Sequence, residues 1–210
     1  MHSLRDRALR PTRRRPPGLA HALHIAEAML RALLVVALLG CSSTVASAGA
    51  ASDIAVHDSP ADAQITEGET VITTDPDTAY RVVTDYPRWR TIFPDIAEVV
   101  ITQQQGVDAR VTFIKPDGNR DNIHFHNQPA ARMVWFEDTG GRATVWAEIV
   151  FVPGNAPGTT RVHSRLFADV HGIASLVVSD RRLREMREQR VRSDLAHLRA
   201  FFAPSVASGR

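Results

Sequence analysis

The stretch Asp75-Pro76-Asp77-Thr78-Ala79-Tyr80-Arg81-Val82-Val83-Thr84-Asp85-Tyr86-Pro87-Arg88-Trp89 decides the fold. Asp75 is suited to cap a helix, and Pro76 to open it, because the first helical N–H has no partner in any case. Ala79, Val82, Val83 and Tyr86 then recur at helical spacing and define one apolar face. Pro87 ends that helix by removing a donor. A second short helix carrying Trp89, Ile92 and Phe93 is stopped by Pro94. Upstream, Ala63 to Thr73 is expected as a strand in which Gln64, Thr66 and Glu69 interrupt Ile65, Val71 and Ile72. Downstream, from Ile96 to His171, runs of β-branched and aromatic residues alternate with turn chemistry at Gly106, Asp117-Gly118-Asn119, Gln128-Pro129-Ala130, Gly140-Gly141 and Pro153 to Gly158. This pattern predicts a six-strand antiparallel meander. One long helix, about Ile173 to Phe202, closes the chain with Leu176, Leu183, Met186, Val191, Leu195, Leu198 and Phe202 on its apolar face.

The order is therefore strand, two short helices, six strands, long helix. It resembles the helix-grip fold of the START, Bet v 1, coenzyme Q-binding and polyketide-cyclase superfamily (SRPBCC). The opening-helix stretch and its Asp85-Tyr86-Pro87-Arg88-Trp89 turn are similar to the family's first helix. Ile92-Phe93-Pro94-Asp95-Ile96 resembles its step into the second strand. The resemblance spans about residues 62 to 203 and implies an α+β domain. A curved antiparallel sheet of about seven strands would wrap the terminal helix and leave a cavity between them. Folds of this breadth do not fix a ligand or a reaction.

The chain has 210 residues, a formal charge of +2 and 44% hydrophobic content, enough for one ordinary domain plus a leader. The charge is unevenly placed. Residues 1–48 carry +5, from seven arginines against Asp6 and Glu27, and residues 49–210 carry −3. The basic character thus belongs to the first segment, and the remainder shows no general affinity for polyanions. Ala32 to Leu39, eight apolar residues after Arg31, has the order of a signal peptide and is too short to span a bilayer. Two processing signals follow. Leu38-Leu39-Gly40-Cys41-Ser42 resembles a lipoprotein box with Cys41 as lipid acceptor, and Ala46-Ser47-Ala48 suits ordinary signal peptidase. Met29 is an alternative start, and Arg13 to Arg15 an alternative twin-arginine signal. The expected organisation is a leader over 1–48, a flexible tether over 49–62, a helix-grip domain over 63–203 and a tail over 204–210. Export to the periplasm, free or membrane-anchored through Cys41, follows as an expectation. Cys41 is the only cysteine, so no disulfide supports the domain.

Strand register follows from the apolar pattern, since a slip of one residue reverses every side chain. Pairing Val152 with Thr159 puts Val145, Ala147, Ile149 and Phe151 on one face with Val162, Ser164, Leu166, Ala168 and Val170. A two-residue Gly140-Gly141 turn pairs Phe136 with Val145 and brings in Val134. A Pro129-Ala130 turn brings in Phe125 and Ile123. Val111 and Phe113 join if the Asp117-Gly118 turn carries an extra residue. This inner face is nearly devoid of polar groups. The expected ligand contacts are therefore Phe93, Phe113, Ile123, Phe125, Val134 and Phe136, together with Val145, Ile149, Phe151, Leu166, Leu183 and Met186. Tyr86, Trp89 and Phe93 are candidates for a mobile lid or for plain core packing.

Polar constellations fall outside that face. His124 and His126 share one strand face at a spacing able to hold a metal, but the register turns them outward without a third ligand. His163, Glu148 and Arg165 are candidates for an acid/base cluster, and the register makes Glu148 and His163 near neighbours, but on the outer face, where a surface ion pair is the expected reading. Trp135 and Trp146 also face outward, covered by the tether, marking a contact surface, or signalling a register error. On the last helix, Arg181, Arg182, Arg184, Arg187, Arg190 and Arg192 interleave with acids. Asp180 with Arg184 and Glu188 with Arg192 are expected i,i+4 pairs, making a solvated face rather than a lipid-binding patch. No catalytic residue, metal site or cofactor is expected. The leading expectation is a non-catalytic carrier or sensor of a hydrophobic small molecule such as a lipid, isoprenoid, quinone or polyketide. The alternatives are a cyclase, dehydratase or hydrolase-like enzyme using Ser164, Arg110 or Glu148, and an interaction module with a filled core.

Overall fold

A computed structural model of the chain describes residues 54–140, 143–171 and 178–204. Its elements run β1 (Ala55–Asp58), β2 (Ile65–Ile72), α1 (Pro76–Thr84), a tight helical turn (Tyr86–Arg88), α2 (Trp89–Ile92), β3 (Glu98–Gln105), β4 (Asp108–Ile114), β5 (Arg120–Gln128), β6 (Met133–Asp138), β7 (Ala143–Pro153), β8 (Thr160–Val170) and α3 (Asp180–Phe201). All described strands form one antiparallel sheet of eight, in the order β1-β2-β8-β7-β6-β5-β4-β3. The expected α+β meander and terminal helix are present. The sheet has one strand more than the seven expected.

The extra strand lies where a tether was expected. Ala55 pairs with Glu69 and Asp58 with Thr66, so residues 55–58 belong to the sheet. Ile54 is buried in the core and Val56 packs against it. Arg184 reaches Asp58 at 3.0 Å, and Arg192 donates to the Ile54 carbonyl at 3.3 Å. These contacts offset the entropy of ordering a short edge strand. The expected leader, Cys41, Leu176 and the last six residues lie outside the described residues.

The opening helix forms as its sequence dictates. The Asp75 carboxylate accepts from the Thr78 backbone N–H at 2.8 Å, Pro76 opens α1, and Pro87 diverts the chain into the tight turn. α3 is shorter than expected at its start. Ser179, not a residue near 173, is its N-cap, with its hydroxyl accepting from the Arg182 N–H at 3.3 Å.

The hairpin turns are longer than expected, and the faces survive because the error is even. Val152 pairs with Arg161 rather than Thr159, Phe136 with Ala147 rather than Val145, and Phe125 with Phe136 rather than Val134. Each offset is two residues, one full pleat period, which returns every side chain to its expected side. At Gln128–Met133 the cause is visible: Pro129–Ala131 form a helical turn and Arg132 takes a left-handed conformation at φ 48°, giving a four-residue loop. Between β4 and β5 the turn spans Lys115 to Asn119, an odd number, and Val111 and Phe113 do turn inward.

α3 lies in the concave side of the sheet, against β2 and β8, with Val191, Leu195 and Leu198 buried. Gly68 on β2 permits the approach. A Cβ there would collide with Val191 Cγ1 and stand 2.8 Å from Leu195 Cδ1.

Candidate ligand cavity

Between the sheet and α3 lies a cavity of about 560 Å³, a volume suited to a drug-sized molecule. One wall is apolar, made by Phe113 on β4, Ile123 on β5, Phe136 on β6, Val145, Ala147 and Ile149 on β7, Leu166 on β8 and Val191 on α3. Trp89 and Phe93 close its end near α2. The exposed lining residues are Arg120, Asn122 and Gly140, so the cavity meets solvent between the β4–β5 and β6–β7 turns.

Seven of the expected contacts line this cavity: Phe93, Phe113, Ile123, Phe136, Val145, Ile149 and Leu166. Five do not. Phe125, Val134 and Phe151 point inward but are fully buried in packed core, Phe125 within 4.4 Å of the Tyr86 ring and 5.2 Å of Phe136. Leu183 belongs to a separate small cluster with Ala143, Val170 and Val178, and Met186 is buried without lining the cavity. Facing inward is set by strand parity, whereas touching a cavity depends on which inner positions α3 and α2 already cover. The aromatics near α2 are packed into the core. Trp89 donates its indole N–H to the Val83 carbonyl at 2.7 Å and stacks on Phe113 at 5.0 Å. The Tyr86 hydroxyl accepts from the Asn127 amide at 2.7 Å, and burial pushes its phenol up to about 12.

The expectation of a nearly nonpolar interior holds for most of the sheet's inner face and fails on α3, in the turns and at two strand ends, Asp121 on β5 and Asp138 on β6. Asp95, Lys115, Asp121, Asp138, Arg190 and Asp194 also line the cavity. Arg190 donates from Nε to Asp194 Oδ2 and from Nη1 to Asp95 Oδ2, both at 2.9 Å. Arg190 and Asp194 keep 27% and 26% of their side chains accessible, and both line the cavity. Burial opposes ionisation of Asp95, yet the Arg190 charge and hydrogen bond beside it hold its carboxyl below the usual range. Burial pushes the Asp194 carboxyl up against the pull of Arg190, with Asp95 adding repulsion. Between the two carboxylates, Asp194 is the one that takes a proton first. Arg190 itself is held up by the Asp194 charge, against the effect of burial. Lys115 pairs with Asp121 at 3.2 Å, and burial raises Asp138.

The arginines of α3 therefore divide. Arg181 and Arg182 pair with Glu185, and Arg184 with Glu188 and Asp58 rather than Asp180. Arg187 turns into the protein and donates to Thr66 Oγ1 and to the carbonyls of Ala168 and Ala63 at 3.2–3.3 Å. Arg190 turns into the cavity. Both were expected on the solvated face.

The outer face holds the remaining candidates. His126 lies 2.8 Å from Asp108 and His124 3.4 Å from Glu137, and among the described residues no group of three or more potential ligands is arranged to hold a metal. His163 pairs with Glu69 at 3.2 Å, and Glu148 with Arg165 at 3.8 Å, so the expected Glu148–His163 contact gives way to two others. Of the polar residues considered for catalysis, Ser164 lines the cavity; Arg110 is exposed and Glu148 sits outside. The tryptophans face outward as expected despite the two-residue offset in pairing: Trp146 stacks on Phe167 at 5.8 Å with an 8° interplanar angle, and Trp135 is half-buried opposite Glu148.

No protein-family model and no curated protein sequence matches the chain. Solved structures do. The ZhuI aromatase/cyclase from Streptomyces sp. R1128 superposes with a TM-score of 0.55 at 16% identity, covering 65% of this chain and 92% of that one. A START superfamily protein from Mycobacterium smegmatis gives 0.55 at 12% identity, covering 66% and 96%. An uncharacterized protein from Bacillus thuringiensis gives 0.56 at 13% identity, covering 67% and 99%. At such identities the common architecture is what the comparison establishes: this chain has the helix-grip fold that these structures share.

Proposed function

We propose that the protein binds a small molecule with a substantial apolar body in the cavity between sheet and α3, as a carrier or sensor acting outside the cytoplasm. The observation that carries this reading is the open volume of about 560 Å³ beside a continuous apolar wall. An apolar wall facing that much open space lacks dispersion contacts, which a ligand with an apolar body would supply. Most of the charged lining residues pair among themselves, Arg190 with Asp95 and Asp194 and Lys115 with Asp121, leaving the hollow open, so the ligand suited to it is amphipathic rather than purely greasy. The signal-peptide-like leader supports export, with Cys41 as a lipid anchor. Native mass spectrometry of protein purified from its own host tests the reading: a retained lipid-like mass supports it, and protein that neither retains nor takes up any apolar molecule overturns it. Determining the mature N-terminus tests the anchor.

One observation favours a second reading, a cyclase or dehydratase type of enzyme. Asp194 presents a carboxyl that holds its proton above the usual range to the same space as Ser164, as a general acid requires. Turnover abolished by Asp194→Asn with ligand retention intact would decide for the enzyme.

A further inference from the structure

Resting on the small-molecule reading above, we infer that the Asp95–Arg190–Asp194 cluster is a head-group site that selects an uncharged oxygen, as in an alcohol, phenol or ketone. It discriminates against carboxylate, phosphate and ammonium heads on the same apolar body.

The hydrogen-bond inventory comes first. A guanidinium has five N–H donors, and two of Arg190's are engaged by Asp95 and Asp194. Those left over serve a cavity that Arg190 itself lines. They suit an acceptor, which an ammonium is not; an ammonium would have to compete with Arg190 for the carboxylates that it already bridges. Charge excludes the opposite choice. Asp95, Asp121, Asp138 and Asp194 line the space against Lys115, Arg120 and Arg190, and Lys115 is already committed to Asp121. A carboxylate or phosphate would add a further anion beside two carboxylates that share one guanidinium, in surroundings poorer in water than the surface. An uncharged oxygen meets neither objection. It accepts from Arg190, and a hydroxyl can donate onward to a carboxylate oxygen. The burial that raises the Asp194 carboxyl weighs in the same direction, because it opposes bringing a further negative charge beside it.

Geometry places the apolar body. Val191 adjoins Arg190 on α3 and faces the same space, and Phe113, Phe136, Ile149 and Leu166 stand on the sheet side. A molecule held by its head at α3 lays its body against that wall, with the solvent opening between the β4–β5 and β6–β7 turns.

The test uses the full chain and four probes of equal chain length: decan-1-ol, decanoate, decylammonium and decane. Each competes with a polarity-sensitive apolar dye at mildly alkaline pH. Decanol is expected to compete about tenfold or more better than decanoate and decylammonium, the preference one adverse charge contact imposes in a partly screened site. Asp194→Asn, which removes one negative charge, is expected to narrow the gap between decanol and decanoate. Decanoate or decylammonium binding as well as decanol overturns the inference. Decane matching decanol removes the head-group site while leaving the cavity reading intact. Failure of all four, and of the dye, overturns the cavity reading itself. The ranking with the unmodified protein decides the matter even if the variant folds poorly.

Discussion

Replacing Arg190 with methionine isolates the charge within the cavity, because methionine keeps much of the arginine stem's bulk and loses only the guanidinium. The substitution deletes two 2.9 Å hydrogen bonds and leaves Asp95 and Asp194 together without their shared cation. Removing one partner of a buried ion pair costs roughly 3–5 kcal/mol. About a quarter of the Arg190 and Asp194 side chains is accessible, and water there relieves part of the penalty, so the lower end, about 3 kcal/mol, is expected. For a domain of this size that is a fall in Tm of about 6–12 °C. The cost depends on pH with a definite sign. In the parent, Asp95 lies below the usual range, so its stabilisation is present above its unfolded pKa and fades as pH falls. In the variant both carboxyls rise above their unfolded values; stability is then complete below those values and lost as pH climbs through the folded ones. The deficit should therefore be small near pH ~3 and full by pH ~7, on either side of the ordinary carboxyl range. Urea unfolding followed by the fluorescence of buried Trp89 across that range measures it. A deficit equal at every pH would refute the reasoning and assign Arg190 a packing role.

Gly68→Ala should cost about 1–3 kcal/mol by overpacking α3 against β2, measurable as a lower urea midpoint with unchanged m. Since Val191 lines the cavity, apolar dye binding should change as well. Ala147→Phe places a ring in the open volume: dye and ligand binding should be lost with a Tm close to the parent, and undiminished binding would show that ligands dock elsewhere. The Tyr86 phenol is held up to about 12 by burial, so stability should be complete through neutral pH and fall as pH rises through that value, with spectrophotometric titration showing phenolate appearing together with unfolding. Asn127→Ala removes the hydrogen bond to that phenol, and a loss of about 1 kcal/mol is expected in thermal melts.

Local signals made most of the fold legible. Asp75-Pro76 and Pro87 act through their own backbone chemistry, and alternation along β7 and β8 fixed the inner face even where turn lengths were misjudged. β1 was missed because Ala55-Val56-His57-Asp58 is too short for a pattern, and its stabilisation comes from Arg184 and Arg192 far along the chain. The apolar wall was likewise readable, although which inner residues meet open space depends on packing between elements. The charged half of the site was partly within reach. Arg190 stands four residues after Met186, and Asp194 three after Val191 and four before Leu198, all on the apolar face. Pairing arginines with acids by spacing placed them in solvent, because i,i+4 partners occur on either side of a helix. Nothing local joins Asp95 or Lys115 to them, since that proximity arises only when the sheet closes on α3.

The two-residue offsets in the hairpins bear on how such a domain tolerates insertion and deletion. A loop that lengthens or shortens by a pair slides one strand along its neighbour and keeps the binding chamber's lining on its side of the sheet. A single added residue that is not absorbed as a bulge would turn His163 and Arg165 toward the ligand and Ser164 and Leu166 toward water. Loop grafts in even steps should preserve the chamber, and odd ones should invert it.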